Sequence, residues 1–454
     1  MEAADARNAG AARFGAEPAR WCIIRVVTPA IRQSRPRLPA GLVSAIAIVV
    51  AVAACGSPTP TPAATGSLAA TPSPTSALAT NSPTAALVAS IVPVPITQLA
   101  EPASLATRLD PAKSAALQAA LETVRSGGKY PGASAAIVFP DGSIWTGVSG
   151  AAILSPQTPL TATTLFSIGS ISKTFLAALI GQLASVGTLA LDDPLAKYLP
   201  DYPNAANITL RQLLNHTSGL RDPSTDSSFN DAVLSHPDVT WTADQFLSWV
   251  GRPYCAPGTC YQYSNTNYIV LGKVVEKITG QPVAALVRSA FLDPLGLSHT
   301  YLQTEEQAQG AEAHGYMPPA AGPTDNSAGT MIPFTAEATA FGFAGAYVST
   351  PSDLAVWAND LYGGRVLDQA TLASMVDVSP TLPFKTHYGL GYGLGFEETT
   401  VAGQVAWGHR GHLDGFWSAM EYLPAYHVTV VVLTNAEWAD PVAATSALAQ
   451  IAIG

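Results

Sequence analysis

Two stretches rich in strand-forming residues, SAAIVFP and SIWTGVS, flank the dipeptide Asp141-Gly142. Asp-Gly between apolar runs is a strong signal for an antiparallel hairpin, because both residues tolerate the left-handed backbone that tight turns need. The end of the chain shows the same pattern, with WSAMEYLP and VTVVVLTN reading as paired strands around residues 417 to 435 and an Ala-rich helix starting at 441. A further helix is predicted over 111–125, and the text between the two strand pairs is mostly helical and loop-like, with TLRQLL and VLGKVVEKITG as its clearest helices. Strands at both ends with helices between them predict an α+β fold. The expected architecture is an antiparallel sheet flanked by helices, with an inserted helical lobe over about 166–339. With 454 residues, 48% of them hydrophobic, the chain can bury a large core.

The region ahead of this body has a different character. From Leu38 to Ala100 there is no charged residue. The run GLVSAIAIVVAVAAC, residues 41 to 55, follows Arg25, Arg32, Arg35 and Arg37. It is too short for a comfortable membrane span and suits the apolar region of a signal peptide. Its end, Val52-Ala53-Ala54-Cys55, resembles a bacterial lipobox, which implies that Cys55 is lipidated and begins the mature protein. From Gly56 the text is Pro, Thr, Ser and Ala, which cannot bury a core and reads as an extended linker. The expected organisation is a signal peptide over 1–55, a linker over 56–96 and a folded domain over 97–454. That predicts an exported protein at the cell surface or in the periplasm, held at the membrane by a lipid anchor, with a monomeric body.

Formal net charge is −10, and the first 54 residues carry seven Arg against three acids, so the remainder holds 15 basic and 29 acidic residues. Such a surface repels phosphate backbones and argues against nucleic-acid binding. Two further cysteines, Cys255 and Cys260, flank a short APGT turn. In an exported chain, two cysteines that close in sequence are expected to form a local disulfide.

The chemistry starts at FSIGSISKTF, residues 166 to 175, where Ser170 stands three positions ahead of Lys173. A second Ser-x-x-Lys, Ser126 to Lys129, lies in a glycine turn and shows how little the pattern weighs alone. Ser170 is instead followed by Phe175, Leu176, Leu179, Ile180 and Leu183 at helical spacing, with Gly187 as a stop. That places Ser170 in a first helical turn, where free N–H groups favour negative charge, and sets Lys173 on the same face. YQYSNTNYIVLG puts Tyr263 and Asn265 a further stretch on, 93 residues from Ser170 to Tyr263, and WGHRGHLDGF puts His409-Arg410-Gly411 146 residues beyond Tyr263.

With these three motifs in order, the sequence resembles the penicillin-recognising serine hydrolases: class C-type β-lactamases, D-Ala-D-Ala carboxypeptidases and related esterases. The resemblance covers about residues 105 to 454 and extends to ITLRQLLNHTSGL, PGTCYQYSNTNYIVLG and AGAYVSTPSDL. It implies an acyl-enzyme mechanism on amide or ester bonds of a small molecule or peptide, with Ser170 as nucleophile, Lys173 easing formation of its alkoxide and Tyr263 exchanging protons with the leaving group. Asn265 would hold the substrate amide. His409 stands at the lysine of the family's Lys-Thr-Gly triplet, which implies a place among the catalytic residues, and Gly411 would let substrate lie against the strand edge. The backbone N–H groups of Ser170 and His412 would form the oxyanion hole. The middle triplet position, commonly a small hydroxyl residue, is Arg410, which would grip a substrate carboxylate or block its slot. Carboxypeptidase and β-lactamase activities rank above esterase, and the competing reading is a non-catalytic surface lipoprotein that binds cell-wall peptides.

Other chemistries find no support in the text. There is no Gly-x-Ser-x-Gly elbow and no His-Glu-x-x-His. His409 and His412, an odd number apart on a strand, would point to opposite faces, so no metal is expected. No glycine-rich phosphate loop suggests a nucleotide cofactor. His216, in LLNHTSGL, reads as a structural residue after a helix.

Overall fold

The expected hairpin forms as strands β1 (Gly132–Val138) and β2 (Ile144–Leu154), closed by a five-residue loop in which the Asp141 carboxylate accepts from Ser143 N at 2.9 Å. In this computed structural model the described residues are 109–454, apart from 304, 319–323, 326–334, 382, 385 and 387–388. Cys55, the leader and the linker therefore lie outside the described residues. No helix among the described residues is long and apolar enough to cross a membrane.

The remaining strands of the main sheet are β3 (Gln157–Pro159), β4 (Gly391–Tyr392), β5 (Glu397–Val401), β6 (Gln404–Leu413), β7 (Phe416–Leu423) and β8 (Val428–Thr434). They pair antiparallel in the order β3-β2-β1-β8-β7-β6-β5-β4, so the first and last parts of the chain zip together at β1 and β8, with Ala135 opposite Val432. Two-residue turns join β5 to β6, where Val401 pairs with Gln404, and β6 to β7, where Leu413 pairs with Phe416 across Asp414-Gly415 alone. The segment between β3 and β4 is the helical insertion, and it runs on past 339 to about 390. Its later part includes the helix Pro351–Tyr362, whose Leu354, Trp357 and Leu361 join the core on the sheet's inner face.

Two helices, α1 (Pro111–Gly128) and the C-terminal α4 (Pro441–Ile453), cover one face of the sheet, over Ala133, Ala135, Ile137, Ala406, Val430 and Val432. The opposite face, with Met420, Tyr422, Val431 and Leu433, belongs to the larger core built around α2 (Ser172–Ser185). Residues 172 to 183 of α2 are all buried, which is the environment of a central helix with apolar residues all round. A lysine in that helix, Lys173, is thus removed from water by the fold itself. α3 (Asn265–Thr279) packs beside α2, and its first residue reaches the same place.

Candidate active site

Ser170 lies in a 3₁₀ turn, Gly169–Ile171, that runs directly into α2, so it precedes the α-helix by two residues rather than standing inside its first turn. The spacing still works, since residues three apart share a face in either helix type. Four bonds pin the turn: Ile168 N to Tyr347 O at 3.0 Å, Ser418 Oγ to Ile168 O at 2.9 Å, Ser172 Oγ to Gly169 O at 2.6 Å and Tyr347 N to Ser172 Oγ at 3.1 Å. Gly169 adopts φ +51, and a Cβ there would stand 2.4 Å from His412 N. Only glycine lets the turn touch β6.

Lys173 Nζ donates to Ser170 Oγ at 2.8 Å, to Asn265 Oδ1 at 2.7 Å and to Ala344 O at 2.6 Å. All three ammonium hydrogens are thereby used. Burial drives the Lys173 pKa down to about 7, with the charges of Asp222 and Glu397 acting against that fall. A hydroxyl hydrogen-bonded to an amine that is half deprotonated at neutral pH is the arrangement of a nucleophile and its base.

Tyr263 packs its ring 5.0 Å from Lys173 Nζ. Its buried hydroxyl makes no hydrogen bond of ordinary geometry, yet Ser170 is near enough to oppose the desolvation that drives its pKa well above the usual phenol value. The phenol is therefore neutral at pH 7 and can pass a proton without holding a charge. His216 fixes this residue's surroundings: its ring centroid lies 4.2 Å from that of Tyr263, and its Nδ1 meets Ser264 N at 3.2 Å and Asn267 Nδ2 at 2.9 Å. The structural role expected of His216 fits this packing.

Asn265 does more for Lys173 than for a substrate. Its Oδ1 accepts from the lysine, while its Nδ2 and backbone N donate to Asp222 Oδ2 at 2.9 and 2.7 Å. One Nδ2 hydrogen remains for a substrate carbonyl. Asp222 carries no signal in the sequence, although it is buried and links Asn265 to the neighbouring turn by accepting from Ser224 N and Oγ. Cys255 and Cys260 are paired just ahead of Tyr263, with Cα atoms 6.3 Å apart.

On β6 the alternation expected of a strand holds. His409 sits on the inner face, where Tyr392 OH meets its Nε2 at 2.9 Å and its Nδ1 meets Arg410 O at 2.5 Å. Burial, helped by the charges of Lys173 and Arg410, lowers the His409 pKa to about 3, so it is a neutral group. Both ring nitrogens are occupied, and its ring lies 6.2 Å from that of Tyr263. His409 therefore orients the surroundings of Tyr263 and has no ring nitrogen left for Ser170.

Gly411 needs a correction. A Cβ there would stand 1.8 Å from Ile168 O and 2.3 Å from Ser418 Oγ, so the missing side chain makes room for the turn carrying Ser170, not for substrate. Arg410 borders the cleft, but its charge acts on Glu397 and Glu421, two buried carboxyls whose pKa values burial pushes up to about 7 and 8 and which Arg410 pulls back. These acids compete with any substrate carboxylate for the guanidinium. His412 places its backbone N against Gly169, next to Ser170, as an oxyanion site requires, while its side chain points the other way, to Glu437 at 2.8 and 2.9 Å. Beyond Gly408, residues 409 to 413 of β6 pair only with β7 among the described residues, leaving the edge nearest Ser170 open.

The cleft measures about 430 Å³ and is lined by Ser170, Tyr263, Asn265, His409, Gly411 and His412, among others. That is the size of a small-ligand site. Around this cleft lie Ser170, Lys173, Tyr263, Asn265, His409, Arg410, Gly411 and His412, while Cys255 and Cys260 stand outside it. His412, Asp414 and Glu437 also place three ligand-type atoms within 4.8 Å of one another, but His412 Nε2 is engaged with Glu437.

Comparison with known proteins agrees with this geometry. The family described as Beta-lactamase matches residues 117–452, and the chain belongs to that family. Its relatives include penicillin-binding protein 4 of Amycolatopsis lactamdurans, 30% identical over 333 residues, covering 70% of this chain and 84% of the relative. Unguisins hydrolase ungD of Aspergillus violaceofuscus is 28% identical over 343 residues, covering 68% of this chain and 59% of its own length. The chain thus spans little more than half of that relative. Among solved structures, D-amino acid amidase from Ochrobactrum anthropi SV3 in complex with D-phenylalanine is similar with a TM-score of 0.66 at 27% identity, covering 75% of this chain and 98% of the other.

Proposed function

We propose that this chain is a serine hydrolase that opens amide bonds next to D-configured residues through an acyl-enzyme. The observation that carries the reading is the 2.8 Å contact between Lys173 Nζ and Ser170 Oγ, with burial holding the lysine pKa to about 7. Neutral Lys173 takes the Ser170 proton as Oγ bonds to the substrate carbonyl carbon. The oxyanion is held by the N–H groups of Ser170 and His412, each worth about 3 to 4 kcal/mol where such donors have been tested. When the C–N bond breaks, the proton returns from Lys173 through Tyr263 to the leaving amine, and water then releases the acyl group by the reverse steps. The D-configuration is supported by the similarity to a D-amino acid amidase, and recognition of β-lactams by the similarity to a penicillin-binding protein. Export and lipid attachment at Cys55 remain part of this proposal, which metabolic labelling with a fatty acid in wild type and Cys55→Ala cells would check.

A substrate panel tests the activity. The full chain is given a D-aminoacyl anilide, its L-enantiomer, a D-Ala-D-Ala peptide, a cephalosporin and a short-chain ester. The reading expects preference for the D-compounds and loss of every activity in Ser170→Ala. Hydrolysis of the ester alone would make an esterase the better reading, and no hydrolysis with no adduct would leave a binding protein.

A further inference from the structure

Beyond His412 the cleft ends in acids. Glu337, on the helix Thr335–Phe341, is 5% exposed, and its Oε1 accepts from Asp414 N at 3.3 Å. Its Oε2 is buried and makes no hydrogen bond. Asp414 and Glu437 lie beside it, and Glu437 holds His412 Nε2 through both oxygens and Gly415 N at 3.0 Å. Glu337, His412 and Asp414 all line the cleft that holds Ser170. A carboxylate oxygen buried without a partner is costly, and three carboxyls around one histidine leave the group short of positive charge.

We propose that Glu337, Asp414 and Glu437 form a subsite for a free ammonium on the acyl side of the scissile bond. This rests on the hydrolase reading above and narrows its substrate to compounds with an unblocked amine, an aminopeptidase-like choice.

The direction follows from the proton path. The leaving group must lie near Tyr263 and Lys173, and the Tyr263 ring sits at the His409 end of the open edge. The acyl group then runs the opposite way, past the His412 N–H and towards Asp414, which stands two residues on, in the turn just beyond the end of the strand. A charged nitrogen arriving there would give the orphaned Glu337 oxygen a donor. Burial, with the charges of Asp414 and Glu437, already holds the Glu337 carboxyl well above its usual range, and a cation would relieve that. An ammonium fits better than a metal because His412 Nε2 is already engaged with both Glu437 oxygens, at 2.8 and 2.9 Å.

The test uses the full chain carrying Ser170→Ala, so that ligands bind without turnover. Calorimetry compares D-phenylalaninamide with its N-acetyl derivative. The free amine should bind about tenfold to hundredfold more tightly, as expected for a charge-assisted contact. Adding Glu337→Gln should bring the ratio to within about threefold, and Asp414→Asn should reduce it, with thermal melting showing whether each variant is folded. Equal affinities in the Ser170→Ala protein, or a ratio that survives in both folded variants, would overturn the proposal. So would stoichiometric Zn²⁺ or Ca²⁺ binding at micromolar concentration that Glu337→Gln abolishes, which would make the cluster a metal centre. Fluorophosphonate labelling of wild type at Ser170 reports separately on the hydrolase reading, and its failure would leave the affinity ratio to decide the subsite.

Discussion

The chain holds two Ser-x-x-Lys sequences, and the fold treats them oppositely. Ser126 ends α1 on the surface, where its hydroxyl bonds back to Glu122 O at 2.7 Å, and Lys129 follows as a left-handed cap at φ 55. The lysine there is exposed, and it meets Ser126 only through the backbone, Lys129 N donating to Ser126 O at 3.2 Å. Ser170 starts a helix and Lys173 is fully buried within it, so the lysine gives up hydration and gains three fixed acceptors. Spacing is identical in the two cases; the helix end and the degree of burial make the difference. A Ser-x-x-Lys is chemically useful when it opens a buried helix and inert when it closes an exposed one.

The largest expected effect breaks this comparison at its root. Ser170→Ala should abolish acylation by a fluorophosphonate or a β-lactam and lower turnover by on the order of 10⁴-fold or more, whereas Ser126→Ala should change neither. An adduct that persists in Ser170→Ala, read by intact mass, would reverse the assignment.

Next is the lysine. Lys173→Ala should cost about 10² to 10⁴ in turnover, and Lys129→Ala almost nothing. The sign of the pH dependence follows from which form acts. Because neutral Lys173 is the base and burial sets its pKa to about 7, the rate should climb roughly tenfold per pH unit below 7 and level off above it. A rate that falls as pH rises from 6 to 8 would mean that the ammonium, not the amine, is the working form.

A smaller effect concerns the loop ahead of Tyr263, which has no counterpart near Ser126. If Cys255 and Cys260 are joined in the purified protein, replacing both by Ser should lower stability by about 2 kcal/mol, the loop-closure value for so short a segment. Chemical denaturation measures this, and non-reducing peptide mapping that finds two free thiols would end the argument.

The smallest is at Asp222. Its charge supports the protonated form of Lys173, so Asp222→Asn should move the rising, acid-side limb of the pH–rate profile to lower pH, by about one unit or less at the effective dielectric of protein sites. An upward movement would show that Asp222 acts on the lysine in another way.

Much of the fold is legible in the sequence. The paired strands at 417 to 435, the hairpin around Asp141 and the terminal helix are local patterns, and local patterns survive folding. The helical insertion is read over about 166–339, whereas helices and loops continue to about 390, because the helix Pro351–Tyr362 and the loops after it carry no signal that says which strand comes next. The Asp414-Gly415 turn escapes the sequence reading, though it has the same Asp-Gly signature as the hairpin around Asp141. Gly411 reads as a residue that serves substrate, and the close approach of Ile168 that explains it involves a residue 243 positions away.

The sequence by itself determined which residues can do chemistry: the periodicity after Ser170 makes a helix, the three-residue spacing puts Ser170 and Lys173 on one face where the chain enters it, and β6 must turn His409 and Arg410 to opposite sides. What only the tertiary structure decided is their electrical state. The Lys173 pKa depends on burial and on Asp222 and Glu397, His409 is neutral because the core excludes water, and one oxygen of Glu337 is left without a partner where a helix from one part of the chain meets a turn from another. Desolvation and charge act through space, whereas sequence patterns report neighbours along the chain, so the groups that tune the site are those that local text cannot name.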